Sequence, residues 1–158
     1  YMNRLMIAKT AFFLLILQLF FSSVYAQQTS LSLEIQNGHS GGAYSSVAVS
    51  PDGKFALTGS ADWTALLWDL ESGKQIRRFS GHQNTLTSAV FSKDGKYVLT
   101  ASSDRTARLW EVSTGKVVKI FGGGIYSTEF ITAGISPDGK NVAAAGADAK
   151  LYIFDVQT

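Results

Sequence analysis

The chain has 158 residues, of which 46% are hydrophobic, 12% aromatic and 16% charged, values that fit one globular domain or two at most and exclude disordered, collagen-like and coiled-coil chains. Fourteen Lys and Arg stand against twelve Asp and Glu, and with Arg4 and Lys9 assigned to a leader, residues 27–158 carry twelve of each sign, so bulk electrostatics calls for neither nucleic acid nor an anionic membrane. The absence of cysteine removes disulfides, thiolate metal sites, cysteine nucleophiles and lipid attachment at cysteine.

Residues 1–26 have the pattern of a helical secretory signal peptide. Arg4 and Lys9 form a positive start, residues 11–21 are apolar except for Gln18, and Val24-Tyr25-Ala26 places small residues ahead of Gln27. Cleavage after Ala26 and export, to the periplasm or the extracellular medium, are expected. The uncharged stretch falls short of the roughly 20 apolar residues that a spanning helix needs, so no stable membrane insertion is expected after cleavage. Residues 27–37 form a lead-in, with a strand expected at 31–36.

From residue 38 onward one unit is written three times, over 38–80, 81–122 and 123–158. The turns Ser50-Pro51-Asp52-Gly53-Lys54, Ser92-Lys93-Asp94-Gly95-Lys96 and Ser136-Pro137-Asp138-Gly139-Lys140 are 42 and 44 residues apart, and Asp62, Asp104 and Asp148 keep the same spacing. So do Trp68, Trp110 and Phe154, while Gly38-His39 and Gly81-His82 are 43 apart. Within each unit, short apolar runs predict strands: 44–50, 86–92 and 130–136 end at an Asp-Gly turn, and 55–60, 97–102 and 141–146 end at the recurring Asp. Next come 64–70, 106–112 and 150–156, rich in Trp, Leu, Ile and Val, and the outer strands 75–79 and 117–121. No run keeps a helical period, so the repeats are expected to be entirely β.

The frame Gly81-His82, Ser92-Lys93-Asp94-Gly95-Lys96, Asp104-Arg105-Thr106 and Leu109-Trp110-Glu111, with the fuller Leu67-Trp68-Asp69 in the first unit, resembles the WD40 repeat. The periplasmic TolB-type propeller also uses a Ser-Pro-Asp-Gly-Lys turn, but the Gly-His and Asp-x-Thr elements favour WD40. The resemblance implies an all-β fold: a β-propeller arc of three repeats, each blade having four strands, one of them supplied by a neighbouring repeat. It also implies a hydrogen-bond chain in which Asp62 accepts from His39, the other nitrogen of His39 meets Thr58, and the Thr58 hydroxyl meets the indole N–H of Trp68. Asp104, His82, Thr100 and Trp110 would repeat it. The third unit departs from the pattern: Gly122-Gly123-Gly124-Ile125-Tyr126 replaces Gly-His, Ala144 stands where Thr58 and Thr100 stand, and Phe154 replaces Trp. Its chain of polar groups is expected to be missing.

His, Asp and a hydroxyl would also suit a nucleophilic triad. The set occurs twice at repeat spacing, each tied to a Trp, so a structural reading is adopted and no catalytic, cofactor or metal site is expected. The three glycines lack the Lys-Ser/Thr that would make a phosphate loop and suggest a flexible connection. Arg77-Arg78 suggests a solvated edge charge.

Propellers have 4 to 8 blades of roughly 40–45 residues. The sequence after the leader is too short for four, and Tyr1 before Met2 and the stop at Thr158 have the look of cut edges. The first expectation is therefore an N-terminal piece of a longer bacterial WD40 protein; the second is a homodimer completing a ring. By analogy with the family, the function expected is a non-catalytic scaffold that binds a protein or peptide on the narrow top face, formed by the loops near His39, His82 and the recurring Asp. Trp63 and Arg105, directly after Asp62 and Asp104, are candidate contacts, together with Tyr44, Tyr126 and Glu129. The alternative is the docking part of a longer exported enzyme, for example a caspase-like peptidase, with its catalytic domain beyond Thr158.

Overall fold

The structure is a computed structural model that describes residues 38–40, 42–124 and 128–157, all within the unit Ile35–Thr158. The signal peptide, the lead-in with its strand at 31–36, and Tyr126 lie outside the described residues. Within them the chain forms eleven strands and no helix. β1 (Tyr44–Val49), β2 (Phe55–Ser60), β3 (Ala65–Asp69) and β4 (Gln75–Phe79) make one sheet, and β5 (Leu86–Phe91), β6 (Tyr97–Ser102), β7 (Thr106–Glu111) and β8 (Val117–Gly122) a second. A third sheet holds β9 (Phe130–Ile135), β10 (Asn141–Gly146) and β11 (Leu151–Asp155). Each is an antiparallel meander, and the strands begin and end within one residue of the runs expected from sequence, but the first two sheets take all four strands from one repeat, not one from a neighbour, and the third has three among the described residues, because consecutive strands joined by short turns pair with one another.

The register repeats from sheet to sheet, with Leu57 opposite Leu67, Leu99 opposite Leu109 and Ala143 opposite Ile153. Alternation along each strand then sends one set of side chains to each face. Leu57, Ala65, Leu67 and Phe79 leave the first sheet to meet Leu86, Ala89, Val98 and Trp110 of the second. Leu99, Ala107, Leu109 and Phe121 leave the second to meet Phe130, Ala133, Val142 and Ala144 of the third. The core is thus two stacked layers between three sheets.

The Ser-x-Asp-Gly-Lys turn explains its own spelling. Gly53, Gly95 and Gly139 adopt φ near +70°, a region costly for residues with a Cβ. In the first copy the Asp52 carboxylate accepts from the Ser50 hydroxyl at 2.6 Å and the Lys54 N–H at 3.1 Å, while Ser50 Oγ accepts from Phe55 N–H at 2.9 Å. The second and third copies reproduce these bonds. Serine, aspartate and glycine therefore recur because each closes the hairpin between the inner two strands.

Basic side chains also clasp neighbouring sheets. The Arg77 stem runs beside Gly115 in the β7–β8 turn, where an added Cβ would lie 2.9 Å from Arg77 Cδ. Lys119 donates to the carbonyls of Asp155 and Val156 at 3.1 and 2.9 Å. Arg77 is thus not the solvated edge charge expected from sequence, because facing residues in successive sheets place its stem over the next sheet.

Candidate interaction surface

The opposite end of the strands is organised by the turns Ala61-Asp62-Trp63, Ser103-Asp104-Arg105 and Ala147-Asp148-Ala149. Trp63 N–H donates to the Ser60 carbonyl at 3.2 Å and Ser60 N–H to the Thr64 carbonyl at 3.1 Å. This is a three-residue hairpin that places its third residue in the left-handed region. Trp63, Arg105 and Ala149 have φ of 70°, 72° and 63°. Glycine is the undemanding choice there, and a residue with a Cβ costs roughly 1–2 kcal/mol.

Behind the turns lie two polar chains. His39 Nδ1 donates to Asp62 Oδ1 at 2.9 Å, Thr58 Oγ1 donates to His39 Nε2 at 3.0 Å, and Trp68 Nε1 donates to Thr58 Oγ1 at 2.9 Å. In the second sheet the matching distances are 2.7 Å for His82 to Asp104, 2.7 Å for Thr100 to His82 and 2.8 Å for Trp110 to Thr100. A carboxylate can only accept, so the imidazole proton sits on Nδ1 and Nε2 is left to accept from the threonine. Both imidazoles have 1% side-chain exposure, and a relay open to substrate would need more.

Burial alone would raise the pKa of Asp62, but hydrogen bonds from the Thr64 hydroxyl, Ser40 N–H and His39 outweigh it and lower the pKa from 3.8 to about 2. Burial likewise opposes ionisation of Asp104, and His82, the Thr106 hydroxyl and Gln83 N–H hold it well below the usual carboxylate range. Groups with depressed folded-state pKa values stabilise the fold fully above the unfolded value of about 4 and lose that contribution as pH falls through the folded values. The expected result is a melting temperature that drops steeply between about pH 4 and pH 2 in calorimetry, with a shallower slope in Asp104→Asn. Equal slopes would show that these carboxylates do not govern acid unfolding.

The third repeat solves the turn differently. Asp148 accepts from the Tyr152 hydroxyl at 2.8 Å, and its N–H donates to Thr128 Oγ1 at 3.1 Å. Asp62 and Asp104 N–H instead meet Ser60 and Ser102 of their own strands. Gly146 stands in the serine position, and a Cβ there would lie 2.8 Å from Thr128 Cγ2. Tyr152 and Thr128 were not singled out from sequence, since Tyr152 reads as an ordinary strand residue and Thr128 belongs to another loop. Arg78 was also missed as a partner of Asp62, to which it donates at 3.3 Å.

Of the candidate contact residues, Trp63 is 50% and Tyr44 55% exposed. Tyr44 meets the His39 ring edge-on at 5.2 Å between centroids, and Ala61 N–H joins the Ala43 carbonyl, so Tyr44 borders the Trp63 turn. A shallow pocket of about 390 Å³ beside the indole is lined by Ser40, Gly42, Ala61, Asp62 and Trp63. Arg105 and Glu129 are exposed at the same end of the second and third sheets.

Comparison with known proteins agrees with this architecture. The family model described as WD domain, G-beta repeat matches residues 30–69 and 73–111, half of the chain. The chain belongs to the WD40 repeat family. The WD40 chain is also similar to the crystal structure of the β-propeller domain of Cps50 (Swd1) from Myceliophteria thermophila. The TM-score is 0.69 at 26% identity, over 78% of this chain and 37% of that one. It therefore spans little more than a third of the propeller chain it matches. The first two sheets are WD40 blades crowned by Asp-x-Thr turns, and the third repeats their register with Asp148-Ala149-Lys150 at the turn.

Proposed function

We propose that this WD40 protein is a non-catalytic interaction scaffold whose turn end, crowned by Trp63 and Arg105, binds a protein or peptide. WD40 propellers generally serve as such scaffolds, and the observation that carries the reading to these residues is the conformation of Trp63. The hairpin would form more easily with glycine at a φ of 70°, yet the position holds a half-exposed indole. A large side chain kept on strained backbone in an exposed turn contributes little to its own blade and suits an interface anchor. Arg105 repeats the arrangement one blade on, with Tyr44 and Glu129 beside the same loops. The leader adds export to the reading, so the partner is sought outside the cytoplasm.

Trp63→Gly tests this without disturbing the backbone. Relief of the left-handed strain offsets the added entropy of the unfolded chain, so stability should stay within about 1 kcal/mol of the parent or rise. Binding to peptides selected on an immobilised array against the parent should weaken by about tenfold or more, as for a hot-spot residue. Undiminished binding by Trp63→Gly and Arg105→Gly would place the recognition surface elsewhere.

A further inference from the structure

Every sheet turns between its inner two strands on an Asp-Gly bond: Asp52-Gly53, Asp94-Gly95 and Asp138-Gly139. Asp-Gly is the peptide sequence most prone to rearrange, because glycine carries no side chain to shield its nitrogen from the neighbouring carboxyl carbon. That nitrogen bonds to Cγ of the aspartic acid, the carboxyl OH leaves as water with the N–H proton, and a succinimide ring closes. Water then opens the ring at the former backbone carbonyl, so the main chain runs on through Cβ as isoaspartate with no net change in mass. The φ near +70° that calls for glycine therefore puts the most labile sequence in each hairpin, where an added main-chain carbon would spoil the turn.

The folded turn withholds both reacting groups. The glycine N–H donates to the serine carbonyl at 2.9, 3.0 and 2.8 Å in the three copies, so the attacking nitrogen has its proton committed. The aspartate Oδ1 accepts from the serine hydroxyl at 2.6 Å in every copy and from the lysine N–H at 3.1, 3.0 and 3.1 Å. The serine Oγ is itself pinned by the first N–H of the next strand, from Phe55, Tyr97 or Asn141, at 2.9, 3.0 and 2.9 Å. The serine hydroxyl first, and then the lysine N–H, hold all three carboxyls below the usual carboxylate range. Ring closure expels water from the protonated acid, the form that these bonds disfavour. We propose that the turn serine is a chemical guard: with its hydroxyl in place the three Asp-Gly bonds resist isomerisation in the folded sheets, whereas the unfolded chain isomerises at all three and loses the hairpins that it needs to refold.

The test incubates the full chain for weeks at mildly acidic pH, folded in buffer and unfolded in guanidinium chloride. Isoaspartate is read by isoaspartyl methyltransferase labelling, with each site assigned by mass spectrometry. Asp52, Asp94 and Asp138 should isomerise about tenfold or more faster in the unfolded chain, since reaction in the folded one waits on local opening of the turn. After dilution from denaturant, recovery of the native near-UV circular dichroism should fall as isoaspartate accumulates. In the folded state Ser92→Ala should raise the rate at Asp94 alone, by about fivefold, the equivalent of one lost hydrogen bond. Should Ser92→Ala fold poorly, Ser136→Ala, at a less buried serine, reads the same effect at Asp138. Equal rates in the folded and unfolded parent, full refolding of isomerised chains, or a folded serine variant whose rate rises nowhere or at all three sites alike would overturn the proposal.

Discussion

Thr100→Val is expected to destabilise the protein by about 3 kcal/mol, far more than an isosteric exchange on a surface strand, because it strands two buried groups at once. The Thr100 hydroxyl gives its proton to His82 and accepts the indole N–H of Trp110, at 2.7 and 2.8 Å, and all three side chains are buried. Valine fills the same volume and does neither, leaving an imidazole nitrogen and an indole N–H without partners. Trp110→Phe removes the donor but keeps a ring between Phe79 and the second sheet, so it should cost less. Combined with Thr100→Ala it should cost less than the sum of the two single changes, a coupling that a double-mutant cycle in urea would measure. The third blade already carries that combination in Ala144 and Phe154, with no histidine to satisfy, and stays closed through Tyr152 and Thr128. Additive single changes would show that the polar chain contributes no more than its separate contacts.

Gly122→Ala should be the most damaging exchange of a glycine for alanine, about 4 kcal/mol, because conformation and space both forbid the methyl group. Gly122 has φ 80°, and a Cβ there would lie 2.6 Å from the Phe130 ring and 2.7 Å from the Arg105 carbonyl oxygen. That carbonyl accepts from Gly123 N–H at 2.9 Å, so the backbone cannot move away without breaking the bond that ties the β8 exit to the Asp104 turn. Gly53→Ala is the control. Its φ is 71° with nothing within 4 Å of the added carbon, so only the backbone term of about 1–2 kcal/mol should appear. Equal losses in the two variants, measured by denaturant unfolding, would refute the steric argument. Gly122, the last residue of β8 and the first of the three consecutive glycines, is therefore a close-packed exit from the strand.

The sequence by itself determined the strands, the Asp-Gly turns and the membership of the WD40 family. These are local: an Asp-Gly turn or an alternating apolar run is decided by backbone preference and side-chain period, and three copies at one spacing average out accidents. The pairing of His82 with Thr100 and Trp110 was also legible, but only through the resemblance, because those partners lie on different strands. Tertiary structure alone decided what depends on residues from separate elements meeting. It brought Thr128 and Tyr152 to Asp148, laid Arg77 across the next blade, and pressed Phe130 against Gly122. The left-handed conformation of Trp63 is local to its three-residue hairpin, but an indole at that position does not announce it.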